Sequence, residues 1–262
     1  MNESPIDETN ENRIVFPSKD VILSLTLKVA ITAIMTALNA VVTMLFAVYL
    51  PLTNGFFNVG EAMVYLSAIL FGPLIGAFAG GVGGLIADFL LGYENYAWGT
   101  LIIKAIEALI VGYLYKLLMK NKEKRHNKTL EVVMVFGISL AVYVMIYLIG
   151  YLFYVGKAEI SGFGSLFVFN TNFTNLFWFI LAGVSMVSII LIYAFVDSQI
   201  SLKIISMFVG GIFMVVGYYL WARFRLGFAL AYTEMPFNIL QVCIGITIAV
   251  PISGPIKNTQ IL

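Results

Sequence analysis

Eight apolar stretches recur along the chain, and they constrain its fold more than any other feature of the sequence. A helix that crosses the hydrocarbon layer of a bilayer needs about 20 mainly apolar residues. Backbone groups inside lipid must also be hydrogen-bonded within the chain, which excludes open strand edges there. The sequence therefore predicts an all-α fold, a polytopic transmembrane helical bundle with about eight spans, at residues 21–48, 60–72, 73–92, 98–118, 130–155, 176–197, 204–222 and 236–256.

The second stretch is short, and the dipeptide Gly72-Pro73 separates it from the third. A helix of that length need not cross the whole hydrocarbon layer. We therefore expect the second and third helices to form a tight pair.

The charge content agrees with a bilayer as the solvent. Of the 262 residues, 61% are apolar and only 11% are charged, whereas soluble domains carry roughly 25% charged residues. A soluble fold would lack the polar surface to cover its core. The formal net charge is +1 and the only cluster of basic residues is in one short loop, which gives no basic face for nucleic acid.

The residues needed for most enzyme chemistry are missing. The single cysteine, Cys243, lies in a hydrophobic run, and the single histidine, His126, lies in a polar loop. This excludes an intramolecular disulfide, a cysteine metal site, a multi-histidine metal site and a Ser-His-Asp triad. No glycine-rich phosphate loop with Lys and Ser/Thr is present. We therefore predict that the chain is not an enzyme, uses no cofactor or metal, and does not hydrolyse nucleotide itself.

The distribution of Lys and Arg predicts the orientation in the membrane. Residues 1–18 are polar and acidic, unlike a secretory signal, so we expect a disordered cytoplasmic tail followed by a single transmembrane domain, 19–262. Both termini are then predicted to be cytoplasmic in a multi-pass protein of the plasma membrane. With that orientation, the inside holds Arg13, Lys19, Lys28, Lys116, Lys120, Lys122, Lys124, Arg125, Lys128, Lys203 and Lys257, and the outside holds Lys157, Arg223 and Arg225.

Small residues repeat at every fourth position in two of the spans. Such spacing places them on one helical face and lets another backbone approach closely. In the third span, Gly76, Gly80 and Gly84 form this pattern, and we favour packing inside the bundle over contact with a separate subunit. In the first span, Ala33 and Ala37 form it, and internal packing and partner docking remain equally open.

Charged and amide side chains interrupt the apolar stretches at a few positions. Lys104 and Glu107 are three residues apart on one helical face, and charges inside a span usually face a partner or a cavity. They are consistent with a structural salt bridge or with a substrate pocket. Asn238 and Gln241 share a face in the last span. They are consistent with hydrogen bonds between helices or with a place in the same pocket. We interpret Asp88 as structural.

The segments predicted to lie outside mix aromatic and polar residues. They are residues 51–59, 93–98 and 223–234. The composition of each segment alone is typical of aromatic rings that lie at the level of the lipid headgroups. The three segments together could also line a pocket for a small molecule. Asn172 in the longer segment 157–175 matches the glycosylation pattern Asn-x-Thr, which is common by chance.

Residues 57–116 carry a series of motifs in a fixed order. They are Asn58-Val-Gly-Glu61, Phe71-Gly-Pro73, a glycine run ending in Ala87-Asp88, and the stretch TLIIKAIEALIVG. With these motifs the segment resembles the S components of energy-coupling factor (ECF) vitamin transporters, in the branch for riboflavin-type or uncharacterised substrates. The tail EMPFNILQVCIGITIAVP, residues 234–251, resembles the final helix of that family.

The resemblance implies a substrate-binding membrane subunit. Such a subunit captures a vitamin or vitamin precursor outside and delivers it inward with a transmembrane coupling subunit and two cytoplasmic ATPases. The family has six helices, so residues 130–197 are predicted to be an inserted helix pair. Ala33 and Ala37 would be the docking face for the coupling subunit. The substrate pocket would be formed by Asn58, Glu61, Tyr93, Asn95, Tyr96, Trp98, Lys104, Glu107, Tyr218, Glu234, Asn238 and Gln241.

Several alternatives stay open on the sequence alone. An autonomous ion-coupled transporter of a small heterocyclic or organic solute would use Glu107 or Glu61 as a proton carrier, although no inverted repeat is visible in the hydropathy. An intramembrane enzyme and a non-catalytic scaffold are further possibilities. Riboflavin, a pyrimidine or pyridoxal-type precursor, pantothenate and a modified base all suit an aromatic, mildly polar pocket.

Overall fold

The computed structural model describes residues 19–45, 47–50, 55–120, 128–153, 155–162, 167–195 and 199–254. The N-terminal tail, predicted to be disordered over residues 1–18, lies outside the described residues. His126 and the basic loop around it also lie outside them.

Each of the eight apolar stretches corresponds to one helix within the described ranges. Six of these helices are long and apolar enough to cross a membrane. The second has only 11 residues, and the fourth is 27 residues long but carries five charged side chains. The chain is therefore a multi-pass, all-α membrane protein, as predicted. The helices are α1 (Lys19–Leu45), α2 (Glu61–Phe71), α3 (Pro73–Leu91), α4 (Glu94–Lys120), α5 (Lys128–Phe153), α6 (Asn175–Phe195), α7 (Ile200–Leu226) and α8 (Phe228–Ser253).

Glycines with positive φ separate neighbouring helices. Gly72, with φ +92°, stands between α2 and α3, and Pro73 opens α3, where its missing N–H costs nothing. Gly227, with φ +86°, makes a one-residue connection between α7 and α8. Because of this tight turn, α8 begins eight residues before the predicted start at residue 236. The predicted start of the last span at residue 236 was therefore wrong, since Pro236 lies inside α8.

The helices α1, α2, α3, α4, α7 and α8 pack around one another, and glycines of α3 allow close approaches between them. A Cβ added to Gly83 would lie 2.8 Å from both the Asn39 Cβ and the Thr36 carbonyl oxygen of α1. A Cβ on Gly84 would lie 2.6 Å from the Thr100 Cγ2 of α4. These contacts confirm that the small-residue face of the third span packs inside the bundle.

The helices α5 and α6 pack against each other and contact α7 and α8 at the side of this group. Their position is compatible with an inserted pair beside a six-helix core. Their interpretation as an insertion at residues 130–197 stays a prediction.

A four-stranded antiparallel sheet covers one end of the bundle, and the sequence analysis did not anticipate it. Its strands are β1 (Ala47–Leu50), β2 (Gly55–Asn58), β3 (Gly156–Gly162) and β4 (Phe167–Phe173), in the order β2-β1-β3-β4. The predicted first span, 21–48, was too long, because its last residues belong to β1. Ala47 of β1 pairs with Asn58 of β2 and with Ser161 of β3. The sheet thus joins the α1–α2 connection to the α5–α6 connection.

The chain runs alternately up and down, so the same end of the bundle carries the sheet and the α3–α4 and α7–α8 connections. At the opposite end, the Lys203 Nζ donates to the Ser253 carbonyl oxygen at 2.5 Å. The Tyr115 hydroxyl donates to the Gln199 Oε1 at 3.2 Å in the same region. Side-chain bonds close that end, and the cavity described next lies at the sheet end.

Candidate functional site

A cavity lies between the helices beneath strand β2. Ligand sites in proteins are typically clefts with a few polar groups converging on them. Six helices and one strand contribute to this cavity. Its lining residues are Asn39 and Thr43 of α1, Phe56 and Asn58 of β2, Val64 of α2, Gly80, Gly84 and Asp88 of α3, Tyr96, Thr100 and Lys104 of α4, Tyr218 of α7, and Glu234, Asn238 and Gln241 of α8.

Four hydrogen-bonded residues form the deepest part of the site, which we call the floor cluster: Glu61, Lys104, Glu107 and Gln241. The Lys104 ammonium forms ion pairs with the Glu61 carboxylate and, at 3.2 Å, with the Glu107 Oε2. The Gln241 Nε2 donates to the Glu61 Oε2 at 3.1 Å. Glu61 and Glu107 are 1% and 0% exposed. The cluster joins α2, α4 and α8 and contains two carboxyl groups for one ammonium.

Hydroxyl groups of the cavity wall also bind other protein side chains. The Tyr96 hydroxyl donates to the Glu234 Oε1 at 2.6 Å, which joins α4 to α8. The Tyr218 hydroxyl donates to the Thr100 Oγ1 at 3.0 Å, which joins α7 to α4. The Lys104 Nζ lies 5.7 Å from the centre of the Tyr218 ring, within the range of a cation–π interaction. These contacts fix the orientation of two aromatic rings against the cavity.

Asn39 and Asp88 form a contrasting part of the lining, which we call the open wall. The two side chains are 1% and 3% exposed. Among the described residues, the Asn39 Nδ2 and the Asp88 Oδ2 have no hydrogen-bond partner. The Asn39 Oδ1 accepts a hydrogen bond from the Thr43 hydroxyl at 3.3 Å. The open wall thus contains one unused donor and one unused acceptor, on two residues that line the cavity.

Strand β2 covers the cavity with an aromatic ring and an amide. The Phe56 ring stacks on Tyr93 with a centroid distance of 4.5 Å and an interplanar angle of 29°. The Asn58 Oδ1 accepts a hydrogen bond from the Gly60 N–H at 2.9 Å. Gly60 has no room for a side chain, since a Cβ would lie 2.0 Å from the Thr43 Oγ1. This close contact fixes the end of β2 against α1.

Most of the residues predicted to form the pocket converge on the cavity. Glu61 and Glu107 lie directly beneath it in the floor cluster, and Tyr93 lies behind Phe56. The predicted residues that line the cavity itself are Asn58, Tyr96, Lys104, Tyr218, Glu234, Asn238 and Gln241.

Two predicted residues lie away from the cavity. Trp98 is 59% exposed, and its ring contacts Phe89 edge-on at a centroid distance of 6.3 Å. The Asn95 side chain is exposed, and the backbone carbonyl oxygen of Asn95 accepts a hydrogen bond from the Arg225 side chain. The sequence analysis treated this segment as a loop, whereas α4 begins at Glu94. Helical spacing therefore turns only every fourth residue toward the cavity, as in Tyr96, Thr100 and Lys104.

Several lining residues were missed by the sequence analysis, and polar residues in apolar spans were the available signal. Asn39 and Thr43 are four apart on α1, so they share a face. Asp88, interpreted as structural, lines the cavity. Ala33 and Ala37 are exposed on α1, as is Ile34, whereas Asn39 is buried. The face that carries the two alanines is therefore distinct from the face that carries Asn39. The other missed residues are Phe56, Val64, Gly80, Gly84 and Thr100.

Comparison with known proteins gave one family and one curated relative. The family model described as the ECF-type riboflavin transporter, S component, matches residues 24–184. The match begins in α1 and ends within α6, so it includes part of the segment predicted to be an insertion. An uncharacterized protein in the gap 3' region of Pyrococcus woesei is 49% identical over 76 residues, or 29% of this chain and 51% of the relative. The chain thus spans about half the length of the curated relative that it matches.

Proposed function

Because the chain belongs to the family of ECF-type riboflavin transporter S components, we propose that it is the substrate-capture subunit of an ECF-type importer. In this proposal it binds a vitamin or vitamin precursor in the cavity at the sheet end. A transmembrane coupling subunit and two cytoplasmic ATPases then drive delivery inward. The chain binds and carries the substrate, and the ATPases supply the energy.

The observation that carries the proposal is the composition of the cavity lining. Aromatic rings of Phe56, Tyr96 and Tyr218 stand around it, and such rings stack on flat heterocycles. The amides of Asn238 and Gln241 approach from α8 and suit ring nitrogens and carbonyls. A flat, polar heterocycle of the riboflavin type is the ligand class that this lining favours.

The distribution of basic residues supports the direction of transport. The positive-inside rule favours both termini in the cytoplasm of the plasma membrane, which would place the sheet and the cavity mouth outside. The exposed Ala33 and Ala37 face of α1 would then lie in the membrane beside the coupling subunit. Small residues at this spacing permit the close helix contact that such docking requires.

Ligand release from the purified chain tests the proposal. We expect mass spectrometry of the denatured protein to find a vitamin-like compound. The Asn238→Ala variant should bind this compound about 5- to 150-fold more weakly, since leaving a buried ligand group without its hydrogen-bond partner costs about 1–3 kcal/mol. Asn95→Ala is the matched control, because this exposed asparagine lies away from the cavity.

Two results would contradict capture of a vitamin. One is a wild-type chain that stays empty after incubation with a vitamin mixture. The other is an equal loss of ligand in the Asn238→Ala and Asn95→Ala variants, which would separate the ligand from the cavity.

The floor cluster favours one second candidate, an ion-coupled transporter. Two carboxyl groups share one ammonium at almost complete burial, and an uncompensated buried charge costs several kcal/mol. A proton shared by Glu61 and Glu107 would neutralise the excess and could be exchanged during transport. Uptake that continues without the ATPases and stops with an uncoupler would favour this candidate over the importer subunit.

A further inference from the structure

The polar groups of the cavity differ in how much hydrogen-bonding capacity they retain for a ligand. Tyr96, Tyr218 and Gln241 already donate to protein acceptors, and Lys104 is held by two carboxyl groups. The open wall is different, because the Asn39 Nδ2 and the Asp88 Oδ2 lack partners in the part of the chain that the structure describes. The Glu61 Oε1 and the Glu107 Oε1 also lack partners there, but these two residues do not line the cavity. Asn39 and Asp88 both line the same cavity.

Leaving these atoms unpaired has an energetic cost that a ligand can remove. A buried polar atom without a hydrogen bond costs about 1–3 kcal/mol, and more when it is charged. The surrounding lipid supplies no hydrogen bonds. The wall is also held firmly, because Gly83 brings the backbones of α1 and α3 into contact beside Asn39.

We propose that Asn39 and Asp88 recognise one edge of the ligand by hydrogen bonds. The Asp88 carboxylate accepts a hydrogen bond from a ligand N–H, and the Asn39 amide donates one to a neighbouring ligand carbonyl. The substrate class is then an uncharged ring in which an N–H stands beside a C=O, as in a cyclic amide, imide or ureide. This inference rests on the proposed function and adds the chemical group that the cavity selects.

The charge of the lining agrees with an uncharged edge. Asp88 and Glu234 bring carboxyl groups to the cavity. The one ammonium among the described lining residues, that of Lys104, is already paired with Glu61 and Glu107. An anionic group placed against the open wall would meet a carboxylate at short range without a free cation. Like charges at such a distance in a poorly solvated site repel strongly, so an N–H donor is the complementary group.

Riboflavin and its N3-methyl derivative test the proposal directly, since methylation removes the ring N–H that lies between two carbonyls. Binding to the detergent-purified full chain is followed by quenching of flavin fluorescence. We expect the wild type to bind N3-methylriboflavin about 10- to 100-fold more weakly than riboflavin, the effect of one lost hydrogen bond to a charged acceptor.

Variants of the open wall then separate lost recognition from a steric effect of the methyl group. Asp88→Leu keeps a similar size without an acceptor, and we expect it to bind the two flavins within about 3-fold of each other. Asp88→Asn retains an oxygen acceptor and should restore part of the preference for riboflavin. Asn39→Leu should weaken both flavins about equally, and the exposed Asn95→Leu should behave as the wild type.

The outcomes distinguish this inference from the proposed function. Two results would overturn recognition by Asn39 and Asp88 and leave the proposed substrate capture standing. One is a wild type that binds riboflavin and N3-methylriboflavin with equal affinity, and the other is an Asp88→Leu variant that still prefers riboflavin. A wild type that binds neither flavin would overturn both the recognition by this pair and the capture of a flavin. The first comparison uses the two flavins and the wild-type chain alone. It therefore tests recognition of the ring N–H even if one of the variants fails to fold.

Discussion

The floor cluster and the open wall bury the same kinds of polar group, but they treat them differently. In the floor cluster, carboxyl, ammonium and amide groups from α2, α4 and α8 bind one another, and each carboxyl group has one paired and one unpaired oxygen within the described ranges. In the open wall, an amide and a carboxyl group from α1 and α3 retain unpaired atoms within the described ranges. Burial is almost complete in both regions.

The difference indicates separate roles for the two regions. Paired groups from three helices stabilise one arrangement of the bundle, so their loss should appear first as lost stability. Unpaired groups lower the stability of the empty protein and gain their partners only when a ligand binds. The floor cluster therefore sets the shape of the cavity, and the open wall is suited to select its contents.

The largest expected effect comes from breaking the floor cluster at its cation. Lys104→Met would leave the Glu61 and Glu107 carboxyl groups buried side by side, and such a change typically costs about 3–5 kcal/mol. We expect a correspondingly lower unfolding free energy, measured by reversible denaturation in mixed micelles. The triple variant Lys104→Met, Glu61→Leu, Glu107→Leu should regain most of the loss, because replacing a whole buried ion cluster by apolar residues is often neutral.

A single variant that unfolds no more easily than the triple variant would remove the basis of the comparison. The two carboxyl groups would then need no ammonium to remain buried in the bundle.

A smaller loss is expected from separating the helices that carry the open wall. The Cβ of Gly83→Ala would lie 2.8 Å from the Asn39 Cβ and from the Thr36 carbonyl oxygen, and overpacking of this kind costs about 1–3 kcal/mol. Gly137→Ala in α5 is the matched control, since an added Cβ there meets nothing within 4 Å. Thermal unfolding should show a lower midpoint for the first variant and an unchanged or higher midpoint for the second.

The smallest expected effect is a gain in unfolding free energy, and it gives the sharpest test of the difference between the open wall and the floor cluster. Asp88→Asn removes a buried charge that has one unpaired oxygen, so we expect the empty protein to gain about 1 kcal/mol of stability. The same acid-to-amide change at Glu61 removes a partner of Lys104 and should lower stability. If both changes lower the unfolding free energy of the ligand-free chain, the open wall is paired in solution and the distinction fails.

The helices were predictable from sequence, whereas the sheet was not. Apolar length identified all eight helices to within a few residues at most ends, because the preference of a segment for lipid depends on its own residues. The early start of α8 was missed because it depends on the backbone of Gly227. The sheet was missed because β1 pairs with a strand more than a hundred residues later, as in the Ala47–Ser161 pair.

The residues of the candidate site also divide into those that the sequence predicted and those that it did not. Lys104, Glu107, Asn238 and Gln241 were recognised because polar side chains in apolar helices are costly wherever the helices pack. Trp98 was misplaced because its direction depends on where α4 begins. Asn39 and Asp88 were not assigned to the pocket, because a polar residue in a span gives no sign of whether its partner is protein or ligand.

By itself, the sequence determined that this protein is a bundle of membrane helices carrying a few buried polar side chains. That information is local, since the transfer of each helix into lipid depends on its own composition. Only the tertiary structure decided which buried groups are paired. The bond between Gln241 and Glu61 spans 180 residues of chain, and the contact between Gly83 and Asn39 requires two backbones to meet. Such pairings depend on how the helices pack, because a hydrogen bond forms only when folding brings donor and acceptor together at the right distance and angle.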